Sequence, residues 1–165
     1  MVKNDKNNLV PAKPFVPLDF IVPSLFENRY FRIRMLTVHD VVKDYDAVMT
    51  SMDHLHQMFP LSGWPAKNLT LEQNLIDLGW HQKEFQNRSS FAYTVVRLDE
   101  SEVIGCVYID PPSKNDFDAE ITMWVRSDVL NMDSILYDTV KDWIEKAWPF
   151  KNAAYPGREI SWDKW

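Results

Sequence analysis

The chain is poor in glycine and cysteine, with four of one and one of the other in 165 residues. Few glycines leave few places where the backbone can approach a ligand closely or turn through a left-handed conformation. The lone cysteine, Cys106, excludes an internal disulfide and fits a reducing compartment, so a cytoplasmic location is expected. No apolar run approaches the ~18 residues of a membrane span, and Met1-Val2-Lys3-Asn4-Asp5-Lys6 leads into no signal-peptide core. No membrane partner is expected. Basic residues are outnumbered, with 18 Lys and Arg against 24 Asp and Glu. A net charge of −6 offers no basic face to a phosphate backbone, which argues against nucleic acid. It is compatible with a cationic partner such as an amine. Repeats and low-complexity tracts are also absent.

What the chain does have is apolar mass. Hydrophobic residues make up 45% of it, including 7 Trp, 6 Tyr and 9 Phe. That suits a globular chain long enough to bury a core. Residues 1–28 read as a separate proline-rich arm ahead of a domain spanning 29–165. Asn4 to Asn8 is polar and expected to be loose. Pro11, Pro14, Pro17 and Pro23 favour extended backbone. Phe15, Leu18, Phe20, Ile21 and Val22 are too apolar for a free tail, so part of the arm should pack on the domain or on a second subunit. Ser24-Leu25-Phe26-Glu27 reads as a single capped turn.

Within the domain, Tyr30 to Met35 alternates as a strand with Phe31, Ile33 and Met35 on one face. Thr37-Val38-His39-Asp40 has the pattern of a helix start. Val41, Val42, Tyr45, Val48, Met49 and Met52 continue that helix. Thr70-Leu71-Glu72-Gln73 is a capping box opening a second helix near residues 71 to 88, with Leu71, Leu75, Leu78 and Phe85 as its inward stripe. Phe91 to Leu98 and Val103 to Ile109 form a hairpin around Asp99 to Glu102. After a proline break, Ala119 to Arg126 alternates with a period of two. Asp133 and Ser134 are placed to cap a last helix carrying Ile135, Leu136, Val140, Trp143, Ile144 and Ala147. One more strand is expected near Asn152 to Ile160.

This order of elements resembles the GNAT superfamily of acyl-CoA N-acyltransferases over roughly residues 30 to 160. The segments that carry the likeness are Phe31-Arg32-Ile33-Arg34-Met35-Leu36-Thr37, Val103-Ile104-Gly105-Cys106-Val107 and Ala119-Glu120-Ile121-Thr122-Met123-Trp124-Val125-Arg126. Trp80 to Phe85 and Tyr155 to Ile160 are similar to an uncharacterised bacterial group of GNAT-like proteins. The resemblance implies a mixed α/β (α+β) fold. A mostly antiparallel central sheet of about five strands would be flanked by helices and shortened at the C-terminal end.

It also implies a site for acetyl-CoA or another acyl-CoA. Pantetheine would lie along Trp124, Val125 and Arg126. Pyrophosphate would lie in the loop from Arg126 to Asp133, with Ser127, Asn131 and Ser134 adding polar contacts. Glu120 matches the position of a general base, and Tyr155 lies near that of a tyrosine that reprotonates the thiolate. A packed strand glutamate and a packed aromatic are the plainer roles for these two. The family's loop is basic and glycine-rich, whereas Arg126 to Asp133 has no glycine and carries Asp128 and Asp133. A carboxylate about 5 Å from a phosphate would oppose it by roughly 3 kcal/mol at an effective dielectric of about 20.

Two readings follow. One is an N-acetyltransferase acting on a small-molecule or peptide amine. The other is a GNAT-like ligand-binding or assembly module without acyl transfer. A homodimer, with one chain completing the other's cleft, is compatible with both. His54 and His56, two apart near a helix, point in different directions, so no metal site is expected. His81 is placed on the polar side of its helix, and Cys106 reads as core. Trp64, Trp162 and Trp165 need a surface to cover, such as a cleft or a subunit contact.

Overall fold

The computed structural model describes residues 13–165. Asn4 to Asn8 and Pro11 lie outside the described residues. Six strands form one sheet in chain order: β1 Leu25–Glu27, β2 Arg32–Met35, β3 Phe91–Val96, β4 Val103–Asp110, β5 Ala119–Val125 and β6 Ala153–Ala154. Neighbours are antiparallel except β5 and β6, which run parallel. Parallel neighbours need a crossover, and α4, Asp133–Ala147, supplies it. The remaining helices, α1 Val41–Thr50, α2 Met52–Met58 and α3 Leu71–Gln86, come between β2 and β3. The architecture is the mixed α/β, mostly antiparallel GNAT-like one.

Strand alternation divides the core in two. Ala119, Ile121, Met123 and Val125 of β5 face α4 and pack with Leu136, Val140, Trp143 and Ile144. The arm joins this side: Val16 is buried there, and Phe15, Phe20 and Val22 pack against the cluster. Leu18 and Ile21, by contrast, point to solvent. On the opposite face, Trp124 and Cys106 meet Ala47, Val48, Leu55 and Leu78 from the three earlier helices. The capping boxes at Thr37 and Thr70 both form. Among the described residues no helix is long and apolar enough to cross a membrane.

Four local expectations need correction. Ser24 to Glu27 is not a turn: it pairs with β2, Phe26 opposite Ile33, because the sheet edge offers its backbone partners. The first long helix stops at Thr50 rather than running through Met52. Ser51 leaves helical geometry, and its hydroxyl accepts the Ser127 amide at 2.9 Å, so a contact from across the sheet ends the helix. In α3, Leu71 and Leu75 are 44% and 42% exposed, while Asn74 and Leu78 are buried. The inward line is shifted because Asn74 donates to the buried Asp44 carboxylate at 2.8 Å. Asp133 and Ser134 do not cap α4: a 3-10 turn over Ser127–Met132 runs straight into it, and Asp133 is taken by Arg158 instead.

Gly105 marks the tightest approach in the sheet. A Cβ built there would lie 2.1 Å from the Trp124 carbonyl oxygen, which is backbone and cannot swing aside. Gly105→Ala should therefore cost at least about 2 kcal/mol, lowering Tm by roughly 4–8 °C for a chain of this size. Thermal unfolding followed by circular dichroism checks it. An unchanged Tm would mean that β4 and β5 are not held this close.

Candidate functional site

The turn after β5 is closed on itself. Ser127–Met132 winds into a 3-10 helix, kinked at Val129, and such a helix uses its amides internally. The flanking amides are occupied too. Arg126 N–H donates to the Ile104 carbonyl at 2.8 Å, Val129 N–H to the Arg126 carbonyl at 3.1 Å, and Asp133 N–H to the Leu130 carbonyl. The Arg126 guanidinium, nearly buried, bridges Asp128 at 3.0 Å and Asp46 at 2.6 Å. Its hydrogen bonds to Asp128 and then Asp46 raise its pKa, so it stays charged and committed.

A C-terminal hook seals the same place from outside. Pairing of β5 with β6 reaches only Glu120 and Ala154, which leaves the rest of that β5 edge unpaired with β6. Arg158 reaches it: its guanidinium grips both Asp133 oxygens, at 2.8 and 2.9 Å, and lies 3.4 Å from the Met123 carbonyl. Gly157, at φ +77°, makes the bend, and a Cβ there would sit 2.5 Å from the Trp162 indole nitrogen. The Trp162 N–H in turn donates to the Met58 carbonyl at 3.0 Å, with its ring against Phe59. The hook thus spans from the start of α4 to the end of α2.

The residues singled out by sequence fall in several places. Trp124 is fully buried and donates its indole N–H to the Tyr108 hydroxyl at 3.1 Å. Val125 is buried opposite Gly105. The Ser127 hydroxyl donates to the Thr50 carbonyl, and Asn131 and Ser134 are exposed. Glu120 is half-buried, and its Oε2 accepts from the Ser113 hydroxyl at 2.9 Å. Tyr155 is buried in the α4-side core, its ring edge-on to Tyr137, and burial pushes its hydroxyl pKa up. By strand alternation Glu120 faces the other side of the sheet, so the two are not brought together. His56 contacts the Pro65 carbonyl at 2.7 Å. Among the described residues no cluster of three or more metal-ligating side chains exists.

On the α1–α3 side lies a cavity of about 520 Å³, between α3 and the sheet. Phe59, Trp64, Trp80 and Tyr108 line it with rings, and Asp44, Asp77, Glu84 and Asp110 with carboxylates. Among the described residues no Lys or Arg lines it. Asp44 is buried, and both its oxygens are engaged, by the Asn74 amide at 2.8 Å and the Cys106 thiol at 3.7 Å. Burial pushes its carboxyl up to about 6, and does the same to Asp110, whose Oδ1 accepts the Ser90 hydroxyl. His81 does not sit on the polar side of its helix as expected. It turns inward, 5.4 Å from the Tyr108 ring, and burial lowers its pKa.

Solved structures of similar shape carry one common description. The ribosomal-protein-S5-alanine acetyltransferase from Vibrio fischeri superposes with a TM-score of 0.58 at 20% identity, covering 76% of this chain and 69% of that one. The microcin C7 self-immunity acetyltransferase MccE, in complex with acetyl-CoA and AMP, gives 0.58 at 13% identity, covering 75% and 66%. A putative ribosomal-protein-serine acetyltransferase from Vibrio cholerae gives 0.57 at 13%, covering 73% and 67%. The chain has the GNAT acetyltransferase fold. No protein-family model matches the sequence, and no curated protein is similar to it. The matches span about two thirds of these acetyltransferases' own length.

Asp44, Asn74, His81, Tyr108 and Asp110 are cavity residues that the sequence reading did not pick out as a site. The signal for two of them was present. Asp44 and Asn74 are polar residues in phase with the apolar stripes of their helices, which is where a buried polar pair belongs. Asp110, next to Pro111-Pro112, reads as loop.

Raised carboxyl pKa values set the sign of a pH dependence. Between about 3.8 and 6 the folded protein holds the Asp44 proton more tightly than the unfolded chain does, so this group makes stability fall as pH rises through that window and level off above it. Asp44→Asn removes that share and keeps an acceptor for Asn74. The variant should gain on the wild type from pH 4 to pH 7 by up to about 3 kcal/mol, since two pKa units are worth that much. Urea unfolding at several pH values reads it, and parallel profiles would remove Asp44 as a buried acid.

Proposed function

We propose that the protein is a GNAT-fold ligand-binding module that works through the cavity between α3 and the sheet and performs no acyl transfer. One observation carries this: the turn after β5 spends its amides on itself and on Ile104 and Ser51, with Arg158 locked onto Asp133 beside it. Pyrophosphate binding at a helix start needs free amides and tolerates no unpaired acid. None of Arg126, Asp133 and Arg158 lines the cavity, so it can fill while the latch stays closed. Its ligand is a small-molecule or peptide amine or a related cation, since the lining is aromatic and acidic. A cytoplasmic location suits the free Cys106.

The fold match favours a second reading, an N-acetyltransferase using acetyl-CoA. In that reading the amine attacks the thioester carbonyl, Glu120 takes the amine proton, and backbone near Trp124 to Arg126 holds the cofactor. It requires the hook to move and the 3-10 turn to unwind.

Titration with acetyl-CoA separates the two. A ligand at 100 times its Kd adds about 2.7 kcal/mol, a Tm rise of roughly 5–10 °C here. No shift is expected at millimolar acetyl-CoA. A clear shift, with acetylation of any member of an amine panel that slows in Glu120→Gln, would establish the enzyme instead.

A further inference from the structure

We propose that the cavity takes a methylated ammonium group, a permanent cation with no N–H to satisfy. This rests on the cavity being the working site, as proposed above. Four rings supply the apolar walls. Phe59 meets Trp64 edge-on at 6.0 Å, Trp64 packs on Trp124, and Tyr108 is fixed by the Trp124 indole N–H. Trp80 stands 57% exposed beside them, with the Lys83 ammonium already 5.1 Å from its ring centre. A cation over such faces is attracted by the ring quadrupole, most strongly where water is excluded.

The buried carboxylate decides which kind of cation fits. Asp44 has spent both oxygens on Asn74 and Cys106. Each oxygen thus has one partner already, and Asp44 brings mainly charge to that wall. A primary ammonium carries three donors, and the four ring faces offer them no full acceptor. A trimethylammonium asks only for charge and contact. Among the described residues no Lys or Arg lines the cavity to neutralise Asp44 or Asp110, and burial first, with neighbouring acids after it, pushes both carboxyls up to about 6. A bound cation would answer charge that the protein leaves unanswered. A volume of about 520 Å³ falls within the usual range for small-molecule pockets and leaves room for a short polar tail beyond the headgroup.

Three probes that share a hydroxyethyl tail test this by calorimetric titration of the full chain at pH 8. They are choline, its neutral carbon isostere 3,3-dimethylbutan-1-ol, and ethanolamine. Choline should bind at least tenfold tighter than either of the others. Trp64→Leu should weaken choline at least tenfold while circular dichroism shows an intact fold, and Asp44→Asn should narrow the gap between choline and its neutral isostere. Equal binding of the isostere, tighter binding of ethanolamine, or no binding of choline at tens of millimolar would each overturn the assignment. Acetyl-CoA is titrated alongside. If it binds while the choline preference holds, the non-acylating reading fails and this one stands. If neither binds, the cavity assignment fails on its own.

Discussion

Backbone amides that find partners within their own turn cannot hold a ligand, and this constraint at the β5–α4 junction governs the molecule. The parallel pair leaves the edge of β5 without β6 past Glu120. Here that opening is occupied by protein. Arg158 supplies the positive charge and Met123 an acceptor, and Asp133 balances the guanidinium at the first turn of α4. A carboxylate near a helix N-terminus is favourable in its own right. The acids that would repel a phosphate therefore act as internal counterparts of two arginines.

The sheet itself was largely legible from residue patterns. Aromatic, β-branched and apolar content marks β3 and β4 around their polar turn, alternation marks β5, and the Thr70-to-Gln73 capping box marks α3. The edge strand β1 was not legible, since three residues are too few to show a period and it exists because a neighbour offers hydrogen bonds; the strand expected near Asn152 to Ile160 is present only as the two residues of β6. The Arg126 to Asp133 segment showed its lack of glycine, but not that it would wind into 3-10 geometry. That outcome depends on Ser51 and Ile104, which are distant in sequence. The cavity was illegible for a related reason. It joins α1, α3, β4 and β5, and no local pattern reports that Asp44 and Asn74 face each other across 30 positions.

Electrostatically, the two faces of the sheet differ. The α4 side is apolar and aromatic, with Trp143, Trp148, Tyr93 and Phe91 in contact. On the other side a buried carboxylate and a thiol lie beneath a pocket that no Lys or Arg lines among the described residues. At the rim of the sheet, Glu100 answers Arg34 and Arg32, and these contacts hold its carboxyl down to about 2. Glu100 and Asp128 are thus held as anions beside arginines, while Asp44 and Asp110 keep their protons to a higher pH. The same residue type is tuned in opposite directions within one small domain.

The parallel pairing of β6 has a consequence for how the chain assembles. Ala119 and Ala153 stand 34 positions apart, with all of α4 between them. The meander from β1 to β5 closes through nearer neighbours apart from one long link, but this last contact must await a docked helix. The far edge therefore forms only after α4 has settled on the sheet. Until α4 does so, the apolar face beneath it is bare, and nascent chains are most exposed to self-association at that stage.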